Sequence, residues 1–275
     1  MLGAICGDVI GSRYEIDNIK TKDFELFTYY NCFTDDSVMT CAIGNACYSY
    51  KKNRDLKKFK KNCILQMQKL GLEHINAGYG GKFIEWLAES NPKPYYSYGN
   101  GSAMRVSPVA YVSETLEEAE KLAEITASVS HNHPDGINGA KSIAGAIWLL
   151  RHGKTKEEVK EYIEKNYYKL NFSLEEIRDN YWFDVSCQGS VPQAIVSFLE
   201  SNSFEDAIRN AISIGGDSDT IAAISGSLAE SYYGIPQNIV ENVVKYLDDS
   251  LLDTLENFYG LNFHHKSVLN QERRK

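Results

Sequence analysis

The sequence predicts an all-α protein, on three observations. Helix-start signatures recur along the chain, apolar residues repeat at spacings of three and four, and no run alternates convincingly with the period of two that a half-buried strand needs. A chain of 275 residues with 43% apolar and 24% charged content can bury a large core as one domain, so disorder is not expected. No internal repeat, low-complexity linker or proline-marked hinge divides it.

Residues 1–12 are small and apolar, with Gly3, Gly7 and Gly11 four residues apart, which predicts a helix face packed closely on a neighbour. The segment has no basic start and is interrupted by Asp8, so it does not resemble a signal peptide. Val38, Cys41, Ala42 and Ala46 mark the next helix, and the basic run from Lys51 to Lys61 is read as its solvated end, where cations complement the helix dipole. Thr115 with Glu118 reads as a capping box opening a further helix, in which side chain and backbone satisfy one another. Ser130-His131-Asn132-His133-Pro134 closes that helix, its histidines expected as partners of the dipole, with a ligand contact the alternative for His131. Ile143, Ala146, Ile147 and Leu150 give a helix ending near Gly153, and Thr155 with Glu158 and Ser173 with Glu176 announce two more. Ile221, Ile224, Ser225 and Leu228, then Ile239, Val243, Tyr246 and Leu247, complete the set. Residues 264–275 are polar and charged, and are expected to form a tail beyond a domain of residues 1–263.

The formal net charge of -8 argues against general nucleic-acid binding, which needs clustered cations to displace counterions. An anionic substrate must therefore be held by local features. The six cysteines include no Cys-x-x-Cys pair and are read as reduced, small core residues, with the cytoplasm as the expected location. No run approaches 18 apolar residues, so no membrane span is expected, and a monomer is the default.

Two acidic clusters stand at two expected helix starts. Thr34-Asp35-Asp36-Ser37 precedes the helix beginning near Val38, and Gly215-Gly216-Asp217-Ser218-Asp219-Thr220 precedes the one carrying Ile221. Asp, Ser and Thr are favoured N-caps and suit the positive end of the dipole, which is the plain explanation. One residue satisfies a cap, however, and crowded like charges repel by several kcal/mol where they are partly buried. Something cationic must offset them. Oxygen-only donors point to a hard divalent ion, Mg2+ or Mn2+, rather than Zn2+.

A third segment, Tyr98-Gly99-Asn100-Gly101-Ser102-Ala103-Met104-Arg105, brackets an asparagine with glycines and then turns apolar. Consecutive backbone N–H groups in such a loop make an anion nest, although an ordinary Asn-Gly turn fits equally. Arg105 is read as a partner in a structural salt bridge, with a phosphate contact as the alternative.

Taken in order, Gly7-Asp8-Val9-Ile10-Gly11 with Glu15, Thr34-Asp35-Asp36-Ser37, Gly99-Asn100-Gly101, Ser130-His131 and Gly215-Gly216-Asp217-Ser218-Asp219-Thr220 resemble the ADP-ribosylglycohydrolase family. That family includes the dinitrogenase-reductase-activating glycohydrolases and the ADP-ribosylhydrolases. The resemblance runs from about Gly3 to Pro236 and implies a single orthogonal helical domain with two Mg2+ ions at helix ends. It assigns Thr34, Asp35 and Asp36 to one metal and Asp217 and Thr220 to the other, with Asp219 bridging. It places Glu15 as a mobile acidic residue that reaches the site, the Gly99-Asn100-Gly101-Ser102 loop at a pyrophosphate and His131 at the adenosine side. Ser37 and Ser218 stand where many members carry threonine, which preserves the hydroxyl.

The function implied is metal-dependent hydrolysis of the glycosidic bond between ADP-ribose and an acceptor, reversing mono-ADP-ribosylation. Divalent ions lower the pKa of a nucleophilic water, and attack at the anomeric carbon passes through an oxocarbenium-like state with a carboxylate as base. The catalytic candidates are Asp36 first and Glu15 second, with Asp35 beside them. Arginine, serine, a nucleobase or a phosphate fits as acceptor, on a protein, a small-molecule conjugate or a nucleic acid. Metal-dependent phosphoester or pyrophosphate hydrolysis and a non-catalytic ADP-ribose-binding role are the competing readings.

Overall fold

In the computed structural model, which describes residues 1–261 and 263, the first helix, α1 (Leu2–Gly11), is buried along its whole length. The expected glycine face is real. A Cβ on Gly3 would sit 2.3 Å from Gly226 O, one on Gly7 2.0 Å from Ala222 O, and one on Gly11 2.7 Å from Asp219 Cα. These partners lie on one later helix, so the two backbones touch along three turns, and this contact carries Asp8 of the first toward Asp219 of the second.

After a 3-10 turn at Ser12–Tyr14 and a long irregular stretch come α2 (Asp35–Asn53) and α3 (Leu56–Glu73), packed as a hairpin. The turn between them holds Arg54 at φ 55, a costly conformation for a residue with a Cβ. Its guanidinium offsets that cost by donating to Val112 O at 2.7 Å and pairing with Glu114 and Glu118. The basic run therefore straddles two helices: Lys57, Lys58, Lys60 and Lys61 lie in the first turns of α3, where Asp55 caps the backbone N–H groups of Lys57 and Lys58.

Four shorter pieces follow in α4 (Gly81–Ala88), α5 (Gly101–Met104), α6 (Val109–Val112) and the longer α7 (Leu116–Ser128). Thr115 caps α7 through Glu118 N–H, but the Glu118 carboxylate takes the N–H of Glu114 at 2.7 Å, one residue earlier than a capping box requires, because Tyr50 and Arg54 draw it outward. The next helix, α8 (Pro134–Arg151), starts with His133 as its N-cap, the ring Nδ1 accepting Asp135 N–H at 3.1 Å. His133 thus opens α8 instead of partnering the C-terminal dipole of α7.

α9 (Lys156–Asn166) and α10 (Leu174–Ile177) open on the complete capping boxes expected at Thr155 and Ser173. α11 (Cys187–Leu199), α12 (Phe204–Ser213) and α13 (Ser218–Tyr233) then form the interior stack, and α13 is the helix that receives α1. From Ser218 through Ala229 every residue of α13 is buried, as a central helix should be. α14 (Gln237–Val243) stops before Tyr246, short of the expected span, and α15 (Asp249–Tyr259) packs back on α2.

The protein is all-α; among the described residues the one β-type pairing is an isolated bridge between Gly99 and Ser186. No described helix is long and apolar enough to cross a membrane. Of the cysteines, five are buried as expected and Cys32 is exposed. The expected tail, residues 264–275, lies outside the described residues.

Gly7→Ala is expected to destabilise the fold by roughly 3 kcal/mol or more, the upper end of overpacking costs, because its Cβ meets backbone that cannot rotate away. Gly81→Ala, with nothing within 4 Å, serves as the control. Denaturant midpoints check this: equal midpoints for the two variants would refute the close crossing of α1 and α13.

Candidate active site

Four pieces of chain bring six carboxylates to one place. α1 supplies Asp8, the start of α2 supplies Asp35 and Asp36, the start of α13 supplies Asp217 and Asp219, and the loop after the 3-10 turn supplies Glu15. Asp8, Asp36 and Asp219 offer oxygens all within 4.8 Å of one another, and so do Glu15, Asp217 and Asp219. Asp219 belongs to both groups. Asp35 is in neither, and faces the adjoining cavity next to Gly78.

Capping does not explain these side chains. Thr34 caps α2 by accepting Asp36 N–H at 3.4 Å, which leaves both aspartates free of that duty. Asp217 occupies the N-cap position of α13 but makes no capping bond; its Oδ2 accepts from Asn100 Nδ2 at 2.7 Å. Thr220 Oγ1 donates to Asp36 Oδ2 at 2.9 Å, and Thr34 Oγ1 lies 2.7 Å from Asp8 Oδ1 and 3.3 Å from Asp219 Oδ2.

Asp8 was not among the sequence candidates. It is fully buried and takes the N–H and hydroxyl of both Thr34 and Ser37, so it fastens α1 to the start of α2. The available signal was a carboxylate inside a small, apolar segment, where an uncompensated charge is too costly to stand without a purpose.

Among the described residues no Lys, Arg or His forms an ion pair with any of these six carboxylates. Asp36 Oδ1 is buried with no hydrogen-bond partner among the described residues. Burial raises the pKa of Asp8, Asp36, Asp217, Asp219 and Glu15, and neighbouring carboxylates push Asp36, Asp219 and Glu15 further. Asp35 is pushed up to about 8, by burial first and then by Asp8 and Asp217. An orphaned buried oxygen, an all-oxygen donor set and uncompensated negative charge fit hard divalent cations.

Asn18 holds the Glu15 segment in place. Its Nδ2 reaches the carbonyls of Tyr14 (2.6 Å), Glu15 (3.0 Å) and Gly216 (3.0 Å), and its Oδ1 accepts Gly216 N–H at 2.7 Å. Gly215 and Gly216 adopt φ +67 and +77, the freedom expected of them, and there is no room for a Cβ on Gly216 against the Tyr181 ring at 2.3 Å.

Five of the six carboxylates, Glu15, Asp35, Asp36, Asp217 and Asp219, line a cavity of about 440 Å³, and Asp8 lies buried behind them. The rest of the lining includes Phe83, Tyr95, Gly99, Gly101, Arg105 and His131. Neither Gly99 nor Gly101 takes positive φ, so the loop is not a nest of alternating hands; Gly99 N–H goes to Ser97 Oγ and Asn100 N–H to Val185 O. The two glycines instead make room for His131, whose Nε2 lies 3.4 and 3.2 Å from where their Cβ atoms would be. Asn100 turns its amide to Asp217 and Ser190, and Ser102 is buried with its hydroxyl donated to Gly136 O. Among the described residues Arg105 has no salt-bridge partner and its Nε, buried, has no hydrogen-bond partner; its Nη2 donates to Thr126 O and Ser130 Oγ. His131 is buried, and desolvation followed by the nearby Arg105 charge holds its pKa well below the usual value, so it is a neutral ring and no dipole-paired cation.

Comparison with known proteins bears on the family and the fold. The ADP-ribosylglycohydrolase family profile matches residues 1–267. Human ADP-ribosylhydrolase ARH3 is 27% identical over 318 aligned positions, covering 86% of this chain and 85% of that protein. ADP-ribosylarginine hydrolase Tri1 of Pseudomonas putida is 26% identical, covering 88% and 72%. A solved structure described as an ADP-ribosylglycohydrolase-related protein complex shares the fold with a TM-score of 0.64 at 20% identity, over 94% of this chain and 95% of that one. Matched across nearly its whole length in sequence and in fold, the chain belongs to the ADP-ribosylglycohydrolase family.

Proposed function

We propose that this protein hydrolyses the glycosidic bond between ADP-ribose and an acceptor, with Mg2+ or Mn2+ held by Asp8, Asp35, Asp36, Asp217, Asp219 and the hydroxyls of Thr34 and Thr220. The single observation that carries the reading is the convergence of two carboxylate triplets sharing Asp219, all but Asp8 of their members lining a cavity of nucleotide-binding size. Bound divalent cations would supply Lewis-acid polarisation and a water of lowered pKa.

The remaining work falls to the chain's own groups. Asp36 is assigned to take the proton of the attacking water: Thr220 fixes one of its oxygens and leaves the other open. Glu15, half-buried and held over Asp217 and Asp219 by the Asn18 clasp, is the second candidate. The apolar faces of Phe83 and Tyr95 exclude water around the nucleoside end of the ligand, and Gly99 and Gly101 make room for His131 to present its ring to the cavity. Arginine stands in the name of one relative, and arginine and serine linkages are the acceptors we put first.

A panel of ADP-ribosyl-arginine, ADP-ribosyl-serine, ADP-ribose-1″-phosphate and free ADP-ribose, each run with Mg2+ and with EDTA, tests this. The expected result is release of intact ADP-ribose from at least one conjugate, abolished by EDTA. Release of AMP would mean pyrophosphate cleavage, and binding without turnover in any arm would mean a non-catalytic role.

A further inference from the structure

Arg105 is among the largest fully buried side chains of the protein, and no carboxylate pairs with it among the described residues. Its bonds run instead to Thr126 O at 3.0 Å and Ser130 Oγ at 2.9 Å. A guanidinium only donates and keeps its charge at neutral pH, so Ser130 Oγ must accept from it. The Ser130 hydroxyl then has one proton to place, and its one other partner among the described residues is His131 Nδ1 at 2.8 Å. Nδ1 is therefore the acceptor and the ring proton resides on Nε2. That nitrogen is the one facing Gly99 and Gly101, on the cavity wall.

We propose that Arg105 and Ser130 are positioning residues that lock His131 in its neutral Nε2–H form, so the cavity presents a permanent hydrogen-bond donor there. The ligand atom it meets must be an acceptor, a phosphate or sugar oxygen or a ring nitrogen of the nucleotide. This rests on the proposed ADP-ribose reading for the identity of the ligand, though not for the state of the ring. Facing the ring are Arg105 at the end of α5, Tyr95 from the segment before it, Phe83 from α4 and backbone from Gly99 and Gly101. None is an anion. Protonating Nδ1 would oppose it to the Ser130 proton and set a second cation beside Arg105, which is why the ring resists charging.

Imidazole nitrogen spectra of the full chain, labelled with 15N-histidine and recorded from pH 5 to pH 8, test the lock directly. His131→Gln identifies the signal. The expected wild-type result is a neutral Nε2–H signature that does not move across the range. Ser130→Ala removes the hydroxyl donor with little change of volume, and is expected to let the ring titrate or exchange tautomers. In the same variant KM for an ADP-ribose conjugate, or the dissociation constant of free ADP-ribose, should rise about tenfold, the loss of one hydrogen bond of about 1.4 kcal/mol, with kcat within about twofold. Arg105→Lys, which keeps the charge, should give a smaller change in the same direction. A His131 that titrates in the wild type, an Nδ1–H signature, or a Ser130→Ala protein with unaltered spectrum and affinity would overturn the lock. Failure of every ADP-ribose conjugate with an intact Nε2–H signature would instead overturn the substrate reading.

Discussion

Asp36→Asn and Asp217→Asn are each expected to lower turnover about a hundredfold or more while leaving the fold intact, a loss of about 2.7 kcal/mol or more in transition-state stabilisation. Asparagine nearly matches aspartate in shape, so the difference is one of charge and of one donor. In Asp36→Asn the amide oxygen can keep the bond from Thr220 Oγ1, which forces the NH2 into the position of the orphaned Oδ1. A donor then points where a cation would have to be. In Asp217→Asn the oxygen can keep the bond from Asn100, and the shared group with Glu15 and Asp219 loses one charge. Both variants remove a like charge from a buried, repelling cluster, so in EDTA their melting temperatures should equal or exceed that of the wild type. The Mg2+-induced rise in melting temperature should shrink in both. Raising Mg2+ or Mn2+ further separates the two roles open to Asp36: a lost ligand is partly rescued, and a lost base is not. Turnover within tenfold of wild type in both variants would refute the assignment.

What the sequence disclosed about this site follows from what each residue's neighbours demand. Asp35, Asp36, Asp217 and Asp219 were legible because a helix start needs one cap and here carries several acids; Thr34 supplies the cap of α2, as that reasoning requires. The glycine face of α1 was legible because a spacing of four has one simple use. Asp8 lay in the same segment and was passed over, since its partners Thr34 and Ser37 lie on another helix and no local pattern marks them. Asn18 is a lone loop asparagine whose role exists because Gly216 lies beside it in space, 198 positions later. Gly99 and Gly101 suggested positive φ, whereas their small size serves the approach of His131, a long-range demand that looks identical in sequence. Arg105 invited a salt bridge for a similar reason: nothing local reveals that its partners are a carbonyl and a hydroxyl.

Stability in the absence of divalent metal should fall as pH rises, by roughly 5 to 10 °C in melting temperature between pH 5 and pH 8, and Mg2+ should abolish most of that fall. The sign comes from the direction of the carboxylate shifts. Asp8, Asp35, Asp36, Asp217, Asp219 and Glu15 all bind protons more tightly folded than unfolded, and Asp35 does so up to about 8. Between the ordinary carboxylate range and pH 8 the native state thus holds more protons than the unfolded chain, and stability decreases with rising pH. Each pH unit of net difference is worth about 1.4 kcal/mol, or about 2–4 °C per kcal/mol for a chain of this size. Among the described residues, His74 and His131 act in the same window with opposite signs: His74, raised against Asp248, adds to the fall, and His131, held neutral by burial, opposes it. Neither depends on Mg2+, so the metal-dependent part of the curve isolates the carboxylates. Cations require those carboxylates ionised, hence Mg2+ should raise the melting temperature more at pH 8 than at pH 5 and displace protons as it binds. Thermal scans in EDTA and in Mg2+ across this range decide the matter. A melting temperature that is flat or rising with pH in EDTA, or a Mg2+ effect equal at both ends, would mean that the buried acids are not the uncompensated cluster that a divalent cation completes.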